Sequence, residues 1–133
     1  MSKKEGSGKK LGATHPVGVS QVVFFLPDRD QFGDRIDQEF WCEQALRIFG
    51  RLFRGATAFP PGRGVWRNDQ EGGFLLLEIT VMIISYVEPS VFDKNTWREL
   101  RDFLHRFGRE ANQGEVGIVI DNQYYGISVY DIP

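Results

Sequence analysis

The order of elements legible in this 133-residue sequence is that of a ferredoxin-like α+β sandwich, βαββαβ, with one further strand at the end. Three observations predict it. Two amphipathic helical stretches each follow a β-branched or aromatic run, a turn-rich segment joins the two middle runs as a hairpin, and no repeat or composition break divides the chain. The length suits one domain with a full core. Eleven Phe and three Trp mean that rings fill much of that core.

The elements follow in order. Residues 1–11 (MSKKEGSGKKL) hold four Lys and one Glu among Gly and Ser with no apolar period, so residues 1–16 read as a flexible basic arm before a domain at 17–133. Residues 19–26 (VSQVVFFL) form a first strand, stopped by Pro27 and Asp28. Asp37 is placed to cap a helix in which Trp41, Ala45, Ile48 and Leu52 recur at helical spacing, and Gly55 is its expected stop. A second strand starts at residues 55–59, breaks at Pro60 and Pro61, and resumes around Val65 and Trp66. Residues 68–73 (NDQEGG) turn the chain into a long third strand, 74–87. Thr96 and Glu99 have capping-box spacing ahead of a stripe at Trp97, Leu100, Leu104, Phe107 and Ala111. A fourth strand spans residues 115–120, and Asp121 to Gln123 turn it into a short fifth, 124–129.

The first and third strands are apolar on both parities. Two helices cover only one face of such a sheet, so the other face calls for a cover. The expected cover is a second copy of the chain packed sheet to sheet, a homodimer, or another protein partner; the last strand folding across is the weaker alternative.

Composition removes several function classes. The net charge of −2 and a pI near 5.7 argue against nucleic-acid binding beyond weak contacts by the lysine-rich arm. The single cysteine, Cys42, forms no internal disulfide, and the longest apolar run contains Glu78 and is too short for a membrane span. With no apolar leader at the start, a cytoplasmic protein is expected. Residues 60–64 (PPGRG) lack the Gly-Lys-Ser/Thr of a P-loop and no dinucleotide fingerprint is present, so no cofactor is predicted. Two distant histidines and one cysteine make no metal cluster; Asp28, Asp30, Gly33, Asp34 and Glu39 have partial calcium-loop spacing, but Phe32 stands where an oxygen ligand belongs.

What remains is a polar constellation on the hairpin. Arg63, flanked by Gly62 and Gly64, is free to project and fork onto a carboxylate or phosphate. Glu78 is a carboxylate in an apolar strand and needs a cation if half-buried, and a hairpin centred on residues 69–73 sets Arg67 near it. Arg63, Trp66, Arg67 and Glu78 are therefore the candidate ligand-binding residues. Glu78 and His105, the latter read as a surface residue of the second helix, are the candidate acid/base groups.

Residues 55–59 (GATAF), 64–69 (GVWRND), Gly73 and 78–81 (EITV) resemble an uncharacterised bacterial domain family with a Gly–x–Trp–Arg–Asp hairpin. The resemblance implies a ferredoxin-like fold and brings no activity. Two functions stay open. One is an accessory or ligand-binding domain that associates through its sheet face and takes a small anion. The other is a small cofactor-independent enzyme of the dimeric α+β barrel type. The fate of Glu78 separates them: a closed, paired carboxylate favours the first, an unpaired one facing a cavity the second.

Overall fold

The structure, a computed structural model, describes residues 3–13 and 20–133. His15 and the first residue of the predicted opening strand lie outside the described residues.

The basic arm is not without regular structure: Lys3–Leu11 form a helix, α1. It closes at Gly12. Gly12 takes φ 70°, and the N–H groups of Gly12 and Ala13 return to the carbonyls of Lys9 and Gly8 at 3.1 and 2.9 Å.

Strand β1 is Ser20–Leu26, followed by helix α2 (Gln38–Phe53), the short β2 (Thr57–Ala58), β3 (Gly62–Asn68), the long β4 (Phe74–Val87), helix α3 (Lys94–Glu110), β5 (Val116–Ile120) and β6 (Gln123–Ile127). The sheet runs β2–β4–β1–β5–β6, every pair antiparallel, and β3 continues along β4 beyond β2. This is the ferredoxin-like order with β6 added at one edge.

Asp37 caps α2 as its position in sequence predicts, its Oδ1 accepting from Phe40 N–H at 3.0 Å. Two boundaries differ. The left-handed residue that ends α2 is Arg54, φ 74°, one before the predicted glycine. Helix α3 begins three residues early because Asp93, rather than Thr96, is the cap, its Oδ1 accepting from Thr96 N–H at 2.8 Å. A carboxylate outcompetes a hydroxyl for that position.

The break at Pro60 and Pro61 is a bulge. Ala58 faces Ile83 whereas Gly62 faces Thr80, so the second strand carries one more residue than β4 over the same span. Neither proline has an N–H to give the ladder, which makes this the least costly place for the extra residue.

Helices α2 and α3 both pack on one face. Val22, Phe24 and Leu26 of β1 meet Val81, Ile83 and Val87 of β4 and Val116 and Ile118 of β5 beneath them, all buried. Phe24 is the hub, edge-on to Phe103 and Phe107 with ring centroids 5.8 and 5.4 Å away and tilted to Phe49 at 6.3 Å.

The opposite face carries Val23 and Phe25 of β1, Glu78, Thr80, Met82, Ile84 and Tyr86 of β4, and Tyr124 of β6, by strand alternation. Among the described residues neither α2 nor α3 covers it, and nor does the C-terminal strand, which extends the sheet at its edge. The residues after β6 turn back onto α3 instead. Tyr130 sits against Gly108, where a Cβ would stand 2.2 Å from its ring, and donates to Gln113 O at 2.6 Å. The Asp131 carboxylate takes two bonds from Arg101, at 2.7 and 3.0 Å, and its carbonyl accepts from Arg109. The alternative of a self-covering last strand is thereby removed.

Candidate functional site on the open sheet face

The register of the β3–β4 hairpin decides which predicted residues meet. Glu78 stands opposite Gly64, and Arg67 opposite Leu75, three residues off the expected pairing. Alternation then sends Trp66 and Glu78 to the open face and Arg63 and Arg67 to the other. Arg67 is exposed and pairs with Asp69, two residues along, at 2.5 Å. The predicted Arg67–Glu78 pair does not form: the hairpin is centred on Glu71, with residues 68 and 74 opposed, and that centre sets Arg67 opposite Leu75, whereas facing Glu78 requires a hairpin centred between Gly72 and Gly73. Arg63 is exposed as well. It lines a shallow pocket of about 220 Å³ with Asp28, Arg29, Gly64 and Glu78, yet lies outside ion-pair distance of either carboxylate.

Glu78 is left half-buried with no hydrogen bond and no ion pair among the described residues. Burial, with the Asp28 carboxylate adding to it, pushes its pKa up to about 7. Asp28 itself is oriented by the Ile79 N–H, which donates to its Oδ1 at 2.9 Å. Room for the Glu78 side chain comes from Gly64, where a Cβ would lie 3.3 Å from Glu78 Cγ and 2.7 Å from Thr80 Oγ1.

On its other side Glu78 lines a second cavity, about 110 Å³, with Phe25, Trp66, Thr80, Gln113, Glu115 and Tyr124. Tyr124 Oη donates to Glu115 Oε2 at 2.9 Å. Burial first, then that bond and the nearby carboxylates, push the Tyr124 pKa up to about 12, so it stays a phenol. Trp66 lies over Gly114, its ring 3.3 Å from where a Cβ would be. Among the described residues no lysine or arginine lines this cavity.

His105, the second acid/base candidate, belongs elsewhere. It is 5% exposed, on the helix side of the sheet, not at the surface. Its Nδ1 accepts the Asp131 N–H at 2.8 Å, and it borders a groove of about 730 Å³ between α3, β5 and β6. The C-terminal segment folding back over α3 buries it, a contact no helical periodicity reports. Glu78 and His105 cannot act on one substrate from opposite faces of a sheet.

Two of the partial calcium-loop carboxylates, Asp28 and Asp30, are spent on backbone. Asp30 Oδ1 accepts from the Phe32 and Asp34 N–H groups at 2.8 and 3.0 Å, and Asp28 holds β4 as described. Among the described residues no cluster suited to a metal ion occurs, and no helix is long and apolar enough to cross a membrane.

Glu115 and Tyr124 are the site residues that sequence reasoning missed. Gly117 and Gly126 in adjacent strands were the available signal, since paired glycines in strands mark a close approach of something else.

No protein-family model matches the sequence, and no curated protein matches it. Solved structures do. A phage SAM lyase in complex with S-methyl-5'-thioadenosine superposes with a TM-score of 0.65 at 17% identity, covering 87% of this chain and 95% of that one. The fold is shared almost end to end. The apo state of a phage SAM lyase gives a TM-score of 0.57, again at 17% identity, over 87% of this chain and 94% of the other. At that identity the likeness shows the α+β sandwich fold alone.

Proposed function

We propose that this chain is a small enzyme that binds S-adenosylmethionine on its open sheet face and cleaves it to S-methyl-5'-thioadenosine, with Glu78 as the residue that meets the cationic end of the substrate. The observation that carries the reading is Glu78 itself: an uncompensated carboxylate in a ring-lined cavity, on a fold shared with a phage SAM lyase. An anion-binding role has less to support it, since Arg67 is already paired with Asp69 and Arg63 shares the pocket of about 220 Å³ with two carboxylates, Asp28 and Glu78.

The chemistry suits the site. The substrate carries a sulfonium and an ammonium, both complementary to a carboxylate, and its nucleoside has a face for Trp66, Phe25 or Tyr124. In the reaction class the sulfur–Cγ bond breaks and its electron pair neutralises the sulfonium to a thioether. A lyase adds no water, so the electrons that replace it at carbon come from within the substrate. They come from its carboxylate oxygen closing on Cγ as a lactone, or from a Cβ–H bond whose proton Glu78 accepts. Either way opposite charges vanish together, a change that a pocket poor in water favours. Incubating the protein with S-adenosylmethionine and separating the nucleosides by chromatography tests the activity. Proton NMR of the four-carbon product separates lactone from alkene. No thioadenosine product above the uncatalysed rate would reject the proposal.

Neither cavity beside Glu78, at about 110 and 220 Å³, holds a whole nucleoside. The face also exposes Met82 at 38% and Tyr86 at 63%, and the far side of the hairpin exposes Leu75 at 65% and Leu77 at 70%. We propose that copies of the chain associate over these surfaces and deepen the site. Light scattering is expected to give a dimer or larger species, and specific activity to fall on dilution. A monodisperse, fully active monomer would remove the association.

A further inference from the structure

The Glu115–Tyr124 hydrogen bond is a built arrangement to which the proposed function gives no role. Gly117 and Gly126 stand directly opposite one another in β5 and β6. A Cβ on Gly117 would lie 2.5 Å from Tyr124 Oη, and one on Gly126 would lie 2.3 Å from Glu115 Oε1. Side chains do not approach that closely, so only this glycine pair lets both groups lie down on the open face. The Tyr124 ring also leans on Phe25, centroids 6.3 Å apart.

The consequence is directional. Having given its one proton to Glu115, Tyr124 offers the cavity only oxygen lone pairs and a ring face. Gln113, which also borders it, spends its amide on the carbonyls of Arg29 and Ala111, both at 3.0 Å. Thr80 and the Trp66 indole are the remaining side-chain donors. Two carboxylates, a phenol oxygen and aromatic faces together make a wall that favours positive charge, with no lysine or arginine among its described lining residues.

We infer that Glu115 and Tyr124 are a positioning pair that makes this cavity prefer the sulfonium form of its nucleoside ligand over the neutral thioether. The inference rests on the proposed function and adds to it a source of selectivity. S-adenosylmethionine and S-adenosylhomocysteine differ only in the sulfonium methyl and its charge, so the ratio of KM for the first to the inhibition constant of the second reads the preference directly.

In the wild-type protein S-adenosylmethionine is expected to bind about tenfold more tightly than the thioether. Glu115→Gln and Tyr124→Phe are each expected to bring that ratio to near one by raising KM, with kcat changed less than about threefold and inhibition by S-methyl-5'-thioadenosine unaltered. A merely structural role would weaken all three nucleosides together and leave the ratio intact. Tyr124→Phe keeps the ring and its packing, so it serves as the test should Glu115→Gln fail to fold. An unchanged ratio in a variant that folds and turns over overturns the positioning role alone. A wild-type protein that neither cleaves nor binds any of the three overturns the proposed function, and this inference with it.

Discussion

Glu78→Gln is expected to slow release of S-methyl-5'-thioadenosine by about a hundredfold or more while raising the melting temperature of the protein. The two effects have one cause. In the folded chain the carboxylate is held in a half-buried site beside Asp28, and its pKa is raised from 4.5 to about 7. A carboxyl whose pKa is higher folded than unfolded favours the folded state fully below pH 4.5. That contribution is lost as pH rises from 4.5 through 7, because the unfolded chain gives up its proton first. Glutamine keeps the shape and never ionises. The variant should therefore match the wild type near pH 4 and exceed it at pH 8. With the shift discounted for the group's partial exposure, the gain is about 1–2 kcal/mol, or about 3–8 °C. Activity should run the other way, kcat/KM of the wild type climbing with pH to a plateau above about 7 as Glu78 ionises. A bound sulfonium favours the charged carboxylate, so the midpoint for kcat should fall at lower pH than that for kcat/KM. Melting curves at the two pH values and a pH–rate profile check both halves. Equal or lower stability at pH 8 would mean that Glu78 has a cationic partner, and the argument for a site there would fail.

Phe24→Ala is expected to cost about 3–5 kcal/mol, the largest loss from any single truncation in this core. Phe24 is 0% exposed and its ring contacts Phe49 of α2 and Phe103 and Phe107 of α3, so one side chain ties the central strand to both helices. Removing it opens a cavity that three other rings cannot fill without leaving their rotamers. Chemical denaturation should show a lower midpoint at a similar slope. Phe32→Ala, at 62% exposure in the loop after β1, should stay within about 0.5 kcal/mol and serves as the control. A loss at Phe24 no larger than at Phe32 would contradict the core described above.

The value of Glu78 as a marker did not depend on its predicted partner. A carboxylate between Leu77 and Ile79 is anomalous in any sheet register, because either parity of an apolar strand penalises it. Which neighbour meets it is a different matter. Hairpin register depends on where the turn closes, and Gly72 and Gly73 both taking positive φ closes it so that residues 68 and 74 are opposed. That register, centred on Glu71, sets Arg67 opposite Leu75 and Gly64 opposite Glu78; Arg67 and Glu78 face one another only in a hairpin centred between Gly72 and Gly73. The histidine failed in a similar way. On the helix alone it lies beside the apolar stripe, and only the Tyr130 and Asp131 contacts of the returning C-terminal segment bury it.

The amino-acid sequence by itself determined the βαββαβ order with its added strand, the aromatic core beneath two helices, the break at Pro60 and Pro61, and one carboxylate out of place in the third strand. Those are local properties: periodicity of apolar residues, ring content, proline's missing N–H, and a charge among aliphatic neighbours. The tertiary contacts settle that the last strand lies at the sheet edge, that the C-terminal segment covers α3, and that Glu115 and Tyr124 join Glu78 in one cavity and Arg63 borders it in another, while Arg67 and His105 lie apart. Contacts between distant segments turn on one-residue differences in register, and a slip of one residue sends every side chain of a strand to the other face.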